Sequence, residues 1–225
     1  MNTNDAKERR IAWTILILGP LSMAVMFAYV TLGYAPGLEA GDEGHPMIYL
    51  QMTCLLWAII MTVIPILRLT RAVALPLWFT AIVYGHMYLY VISLCQGMYL
   101  DIAWWGDFTH IIASLIVSAL VFIGLCLMES RSPKHVTFGS NKGLLVMLFL
   151  VAMSFGGIWE LMEGFTDFIG GNAYMIYGST DTVADITADL AGATIMVIIA
   201  SQILKKQGAE GVASKVRLGR NSIEY

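Results

Sequence analysis

The stretch "SFGGIWELMEGFTDFIGG", residues 154–171, carries Glu160, Glu163 and Asp167 at offsets of three and four and contains no lysine or arginine. That spacing puts the three carboxylates on one face of a helix. Two other stretches offer matching chemistry. "WWGDFTH" places Asp107 and His110 three residues apart, and "STDTVADITADLAGA" repeats Asp181, Asp185 and Asp189 every four residues. All three sets sit at the edges of long apolar runs, where an uncompensated carboxylate costs several kcal/mol. Because no lysine or arginine occurs in these segments, three solutions remain. The acids share protons, they line a watery vestibule, or a metal cation neutralises them. Oxygen-rich ligation with a single imidazole suits a divalent cation such as magnesium, manganese, calcium, iron or zinc, and not a thiolate-seeking metal. Asp107, His110, Glu160, Glu163, Asp185 and Asp189 are the expected ligands, in the way that helix-borne carboxylates build di-metal centres.

Some of these acids also have a plainer reading. Asp107, Asp181 and Thr182 precede apolar runs and resemble helix N-caps, and Thr182 with Asp185 resembles a capping box. Glu160, Glu163 and Asp189 lie inside their runs and have no such alternative, so they carry the functional expectation. Gly156, Gly157, Gly164, Ala188, Gly192 and Ala193 are the small residues that close helix approach requires, although glycine is common in membrane helices anyway.

The elements that must position these groups follow from composition. Hydrophobic residues make up 58% of the 225, charged residues 13%, and mean hydropathy is +0.72, against roughly 25% charged in a soluble domain. The chain reads as an integral membrane protein. Six runs are long enough to cross about 30 Å of hydrocarbon: 11–34, 46–67, 72–99, 107–128, 143–166 and 185–204. Backbone amides find no water in lipid, so these are expected as helices, giving an all-α polytopic bundle in a single membrane domain, residues 1–204. Residues 205–225 read as a polar, mobile cytoplasmic tail.

Lysine and arginine fix the expected orientation. All 13 fall before span 1, between spans 2 and 3, between spans 4 and 5, or after span 6. Retention of basic residues inside puts both termini on the cytoplasmic side of the membrane. Spans 4, 5 and 6 then bring their acids together near the outer leaflet. The outer loops hold Glu39, Asp42, Glu43, Asp101, Asp107, Asp167 and Asp181, an acidic face unsuited to nucleic acid. The lipid bilayer is the one partner composition names, and membrane-protein partners are left open. Span 1 is longer than a signal-peptide core and is expected to be retained. Pro20 should kink span 1, and Pro65 and Pro76 should bend or end spans 2 and 3.

Other residues carry weaker signals. Cys54, Cys95 and Cys126 read as small buried apolar groups. His86 is expected to bond a neighbouring helix, and His45 and His135 to be solvated. Tyr99, Trp104, Trp105, Tyr174 and Tyr177 suit an interfacial aromatic belt.

The ordered set "GDFTH", "WELME" and "ADITAD" followed by "LAGA" resembles an uncharacterised family of bacterial inner-membrane proteins typified by YjdF, over roughly residues 100–200. In that family an Asp-x-x-His opens one span, a Glu-x-x-Glu closes the next and an Asp-x-x-x-Asp opens the last. The resemblance implies a small helical membrane protein and the same grouping of residues, without naming a reaction. It does not extend to Asp181, since "GSTDTVAD" lacks the family's tryptophan and places its extra acid at a different offset. Three functions fit the sequence: a metal-dependent hydrolase or lipid-modifying enzyme open to the outer face, a cation or proton transporter, or a non-catalytic subunit of a membrane complex. No serine nucleophile with a histidine base is visible, and a phosphatase using outer arginine or lysine clamps is excluded by the charge map.

Overall fold

The computed structural model describes residues 3–38, 45–70, 73–131, 136–170, 175, 176, 178 and 180–218. His135, Tyr174, Tyr177 and the acids Glu39, Asp42 and Glu43 lie outside these. The described residues form helices α1 (Thr3–Thr31), α2 (Met47–Leu69), α3 (Leu77–Cys95), α4 (Met98–Asp101), α5 (Trp105–Arg131), α6 (Asn141–Gly170) and α7 (Asp181–Ala213). Two-residue strands β1 (Val73–Ala74) and β2 (Arg217–Leu218) pair antiparallel. Six helices, all but α4, are long and apolar enough to cross a membrane, as the hydropathy requires. The chain divides into two compact units, residues 1–102 with 216–225, and residues 103–215.

In the first unit α1 packs on α2, burying Met23, Val30, Leu50, Cys54 and Met61. Pro65 lies inside α2 and has no N–H to give the carbonyl four residues earlier, which belongs to Met61. The hydroxyl of Tyr84 on α3 donates to that carbonyl. The proline's lost hydrogen bond is therefore replaced from the neighbouring helix. Ser22 and Tyr88 tie α1 to α3 through a hydroxyl pair at 2.8 Å.

Span 3 is shorter than its apolar run suggests. Pro76, with φ −53°, serves as N-cap of α3, and residues before it enter β1. At the other end Gly97 takes a positive φ of 73° and breaks the helix before α4. The turn after α1 docks on this end: Gly37 N–H donates to the Cys95 carbonyl at 2.9 Å, and His45 N–H donates to the Gly37 carbonyl at 2.9 Å. A Cβ on Gly37 would run into the Leu94 carbonyl, so only glycine fits. His45 differs from its expected solvated role. It is 1% exposed, with its ring 5.3 Å from that of Tyr49, because the docked turn covers it.

In the second unit α5, α6 and α7 enclose a core of Phe122, Leu125, Cys126, Leu144, Leu148, Met196, Ala200 and Leu204. The α5 and α7 backbones come very close at Gly192, where a Cβ would lie 2.5 Å from the Ile111 carbonyl and 2.9 Å from the Ser114 Cβ. Small residues permit such approach between membrane helices. Beyond Leu204 the expected mobile tail is instead folded up to Leu218. Helix α7 continues to Ala213 across a break at Gly208, φ 65°, and Val212 and Ala213 are buried.

Two outcomes test these local readings. Tyr84→Phe should cost about 1–3 kcal/mol, and Pro65→Ala, which restores an amide donor, should remove most of that cost. A double-mutant cycle in micelles reads the coupling, and additive effects would contradict the proline-repair account. Burial pushes the His45 imidazole from 6.5 down to about 4. A depressed histidine pKa means the unfolded chain takes up the proton first, so stability is full above pH 6.5 and falls as pH drops toward 4. Between pH 7 and 5 the loss should be about 2 kcal/mol, and His45→Gln should flatten it in thermal unfolding.

Candidate metal centre

The acids converge within the second unit, at the N-terminal ends of α5 and α7 and the C-terminal end of α6. Helix α5 contributes His110 from its second turn. Helix α6 contributes Glu160 and Glu163 from one face, three residues apart. Helix α7 contributes Asp185, one turn in from its start. Each of these four offers one ligand atom, and the four atoms lie within 4.8 Å of one another. Two ligands of one ion, each about 2.0–2.4 Å from it, can be at most about 4–5 Å apart. The group thus has the compactness of a single coordination sphere, whereas a pair of ions about 3.5–4 Å apart would need a wider set.

Burial sharpens the electrostatics. Glu160 and Glu163 are each 6% exposed and Asp185 is 5% exposed. Among the described residues, both carboxylate oxygens of Glu160, and Oε2 of Glu163, have no hydrogen-bond partner. The Thr182 hydroxyl lies near Glu160 but outside hydrogen-bonding geometry. Oε1 of Glu163 is occupied, accepting from Trp159 Nε1 at 2.6 Å. His110 stands between the two aspartates of α7, with Nε2 3.7 Å from Asp185 Oδ1 and Nδ1 3.5 Å from Asp189 Oδ1. Three carboxylates meeting in a low-dielectric interior repel strongly, and a shared proton would need an oxygen-to-oxygen hydrogen bond that the Glu160 oxygens do not make.

Of the six expected ligands, His110, Glu160, Glu163 and Asp185 come together. Asp189 is buried and contacts His110, outside the group of four. Asp107 is exposed and also outside it. Neither helix start uses the expected cap. Helix α5 begins at Trp105, so Asp107 sits in its first turn, where a negative charge meets the positive end of the helix dipole. Thr180, not Asp181, is the N-cap of α7, without a side-chain cap. Asp167 serves its own surroundings. Its carboxylate accepts from Met175 N–H at 3.0 Å and Ile176 N–H at 2.9 Å, fastening the chain after α6. Of the expected aromatic belt, Trp104 is exposed and Trp105 is buried.

Trp159 is not among the residues the sequence singles out, although its i, i+4 spacing to Glu163 places the two side chains over one another on α6.

The family model described as "Predicted membrane protein (DUF2238)" matches residues 20–206. The chain belongs to that family, in keeping with its resemblance to the uncharacterised YjdF-like membrane proteins. No curated protein and no solved structure matches it.

Residues assembled for binding should cost stability. Removing the charge with Glu160→Gln in chelator-treated protein is expected to leave unfolding stability unchanged or raise it by about 1–3 kcal/mol. Leu148→Ala, in the apolar core of the same unit, should lower it by about 2–5 kcal/mol. Unfolding in mixed micelles compares them, and a large loss from Glu160→Gln would mean that this carboxylate is structural.

Proposed function

We propose that this DUF2238 membrane protein binds one divalent metal ion through His110, Glu160, Glu163 and Asp185, near the outer face of a bacterial inner membrane, and uses it in hydrolytic or lipid-modifying chemistry. The observation that carries the reading is the buried Glu160 carboxylate, whose oxygens have no hydrogen-bond partner among the described residues and one of which lies within 4.8 Å of three other ligand atoms. A buried carboxylate without partner is costly, and a cation of charge two offsets most of the charge of three carboxylates. The donor set, one imidazole and three carboxylates, suits magnesium, manganese, iron or zinc.

The distribution of basic residues supports the outward orientation. In the second unit Arg131, Lys142, Lys205, Lys206 and Lys215 all belong to the helix ends opposite the cluster, the arrangement expected when those ends face the cytoplasm. A bound ion supplies positive charge and Lewis acidity. The chain's own residues would hold it on three helices, and the exposed apolar side chains Phe165, Phe168, Ile169 and Val183, at the cluster ends of α6 and α7, would suit the acyl part of a lipid substrate.

A transport reading is less well supported. Below the cluster, the three helices are sealed by Phe122, Leu125, Leu144, Leu148, Met196 and Leu204. Ser118, fully buried, is the polar side chain that penetrates furthest toward this core from the cluster side of α5. A conduit for cations requires polar or charged groups continuing inward, and an apolar plug of this kind suits a bound ion that stays.

Protein purified without chelator should retain one divalent ion per chain by elemental analysis, and Glu160→Ala should retain none. A wild-type protein free of divalent metal after gentle purification would remove the reading. Reconstituted vesicles should show no downhill divalent-cation flux; flux abolished by Asp189→Asn would assign the acids to transport instead.

A further inference from the structure

The group of four leaves one buried carboxylate of α7 without a ligand's place. Asp189 is 5% exposed and lies one turn further into the unit than Asp185. An imidazole can direct only one of its nitrogens at a given ion. In His110, Nε2 is the nitrogen nearer Asp185, 3.7 Å from its Oδ1, while Nδ1 faces Asp189 Oδ1 at 3.5 Å. Metal-binding histidines commonly turn their second nitrogen to a carboxylate, which fixes tautomer and ring orientation.

We propose that Asp189 is a positioning residue and not a ligand: it holds His110 through Nδ1 so that Nε2 faces the ion shared by Glu160, Glu163 and Asp185. The inference rests on the metal reading above and divides the α7 carboxylates into one that binds and one that orients.

The seat of Asp189 is built from all three helices of the unit. Helix α5 grips its backbone, with Ser114 Oγ donating to the Asp189 carbonyl at 2.8 Å. Helix α6 makes room for its side chain at Gly156, where a Cβ would overlap Oδ2 and lie 3.1 Å from Cγ and 3.3 Å from Cβ of Asp189. The carboxylate therefore lies directly over the α6 backbone, with His110 on its Oδ1 side. A methyl group at 156 would displace it without removing any charge. Two unlike substitutions, one on each helix, should then disturb the same histidine.

The test uses full-length protein in lipid nanodiscs with Mn²⁺ as probe, reading stoichiometry, affinity and the imidazole nitrogen coupling by pulsed electron paramagnetic resonance. Asp189→Ala and Gly156→Ala should each keep one ion per chain, bind it about 10–100-fold more weakly, and lose or diminish the nitrogen coupling. Asp189→Asn, which keeps an oxygen acceptor for Nδ1–H, should restore most of the affinity and the coupling. Asp185→Asn, a ligand change, should abolish stoichiometric binding at concentrations that saturate the wild type. The proposal is overturned if Asp189→Asn is as damaging as Asp185→Asn, which makes Asp189 a ligand, or if Asp189→Ala keeps wild-type affinity and coupling. Wild-type protein that takes up no Mn²⁺ at all fails a different claim, the metal site itself. Should Asp189→Ala not fold, Asp189→Asn and Gly156→Ala still decide the matter.

Discussion

Three carboxylates from two helices share a volume small enough for one ion, inside a protein whose surroundings solvate charge poorly. The close packing of the second unit around them follows from having to hold them there. Among the described residues Glu160 makes no hydrogen bond through either oxygen, so the polar groups described around it leave its carboxylate unsatisfied. Local alternatives were within reach in the same stretch. Asp167, seven residues along, has two backbone N–H donors, and a carboxylate that merely needed burial could have been served in that way. The contrast between Asp167 and Glu160 separates an acid that accepts from the chain after α6 from one left without a partner among the described residues.

Keeping like charges together demands rigid support, and the packing provides it with glycine. Gly192 lets α7 lie against the Ile111 carbonyl of α5, and Gly156 lets the α7 aspartate lie against α6. These contacts set the lateral positions of all three helices at the level of the acids. Further along the same helices, the apolar core around Leu148, Cys126 and Ala200 provides the stabilisation that the acids forgo. The unit thus divides its roles along the helix axes, with hydrophobic packing at one end and charge confinement at the other. Close-packed interiors transmit small displacements, which is why a methyl group at Gly156 is expected to be felt at His110.

Much of this is legible in the sequence, for a physical reason. Lipid removes the option of exposed backbone, so apolar run length translates almost directly into helices, and all six spans appear. Intramembrane acids stand out because they are expensive, and His110, Glu160, Glu163 and Asp185 are visible on that ground. What escapes detection depends on contacts between segments. Asp107 looks like a ligand because its spacing to His110 is one turn, but the start of α5 at Trp105 leaves it exposed. His45 looks solvated because it is a loop residue next to proline, yet the docking of Gly37 on the end of α3 covers it. The trimming of span 3 and the folding of residues 205–218 both involve β1 and β2, a pairing between segments some 140 residues apart that no local pattern encodes. Trp159 is hidden differently, since a tryptophan near the end of a span reads first as an interfacial anchor.

The helix termini themselves offer a partial answer to the charge problem, and its size shows why it is not sufficient. A helix N-terminus carries the equivalent of about +0.5 charge and a C-terminus about −0.5. Helices α5 and α7 present N-termini to the cluster and α6 presents its C-terminus, so the three together supply about +0.5. The effect also fades within the first turn, whereas His110 and Asp185 stand at or beyond it. Against three carboxylates this is a small correction, and Asp189 adds a fourth negative group at the edge. His110, if it binds an ion through Nε2, is neutral and contributes no charge. On the metal reading proposed above, the positive balance comes from outside the polypeptide, and a divalent cation would bring both the charge and the demand for convergent ligands.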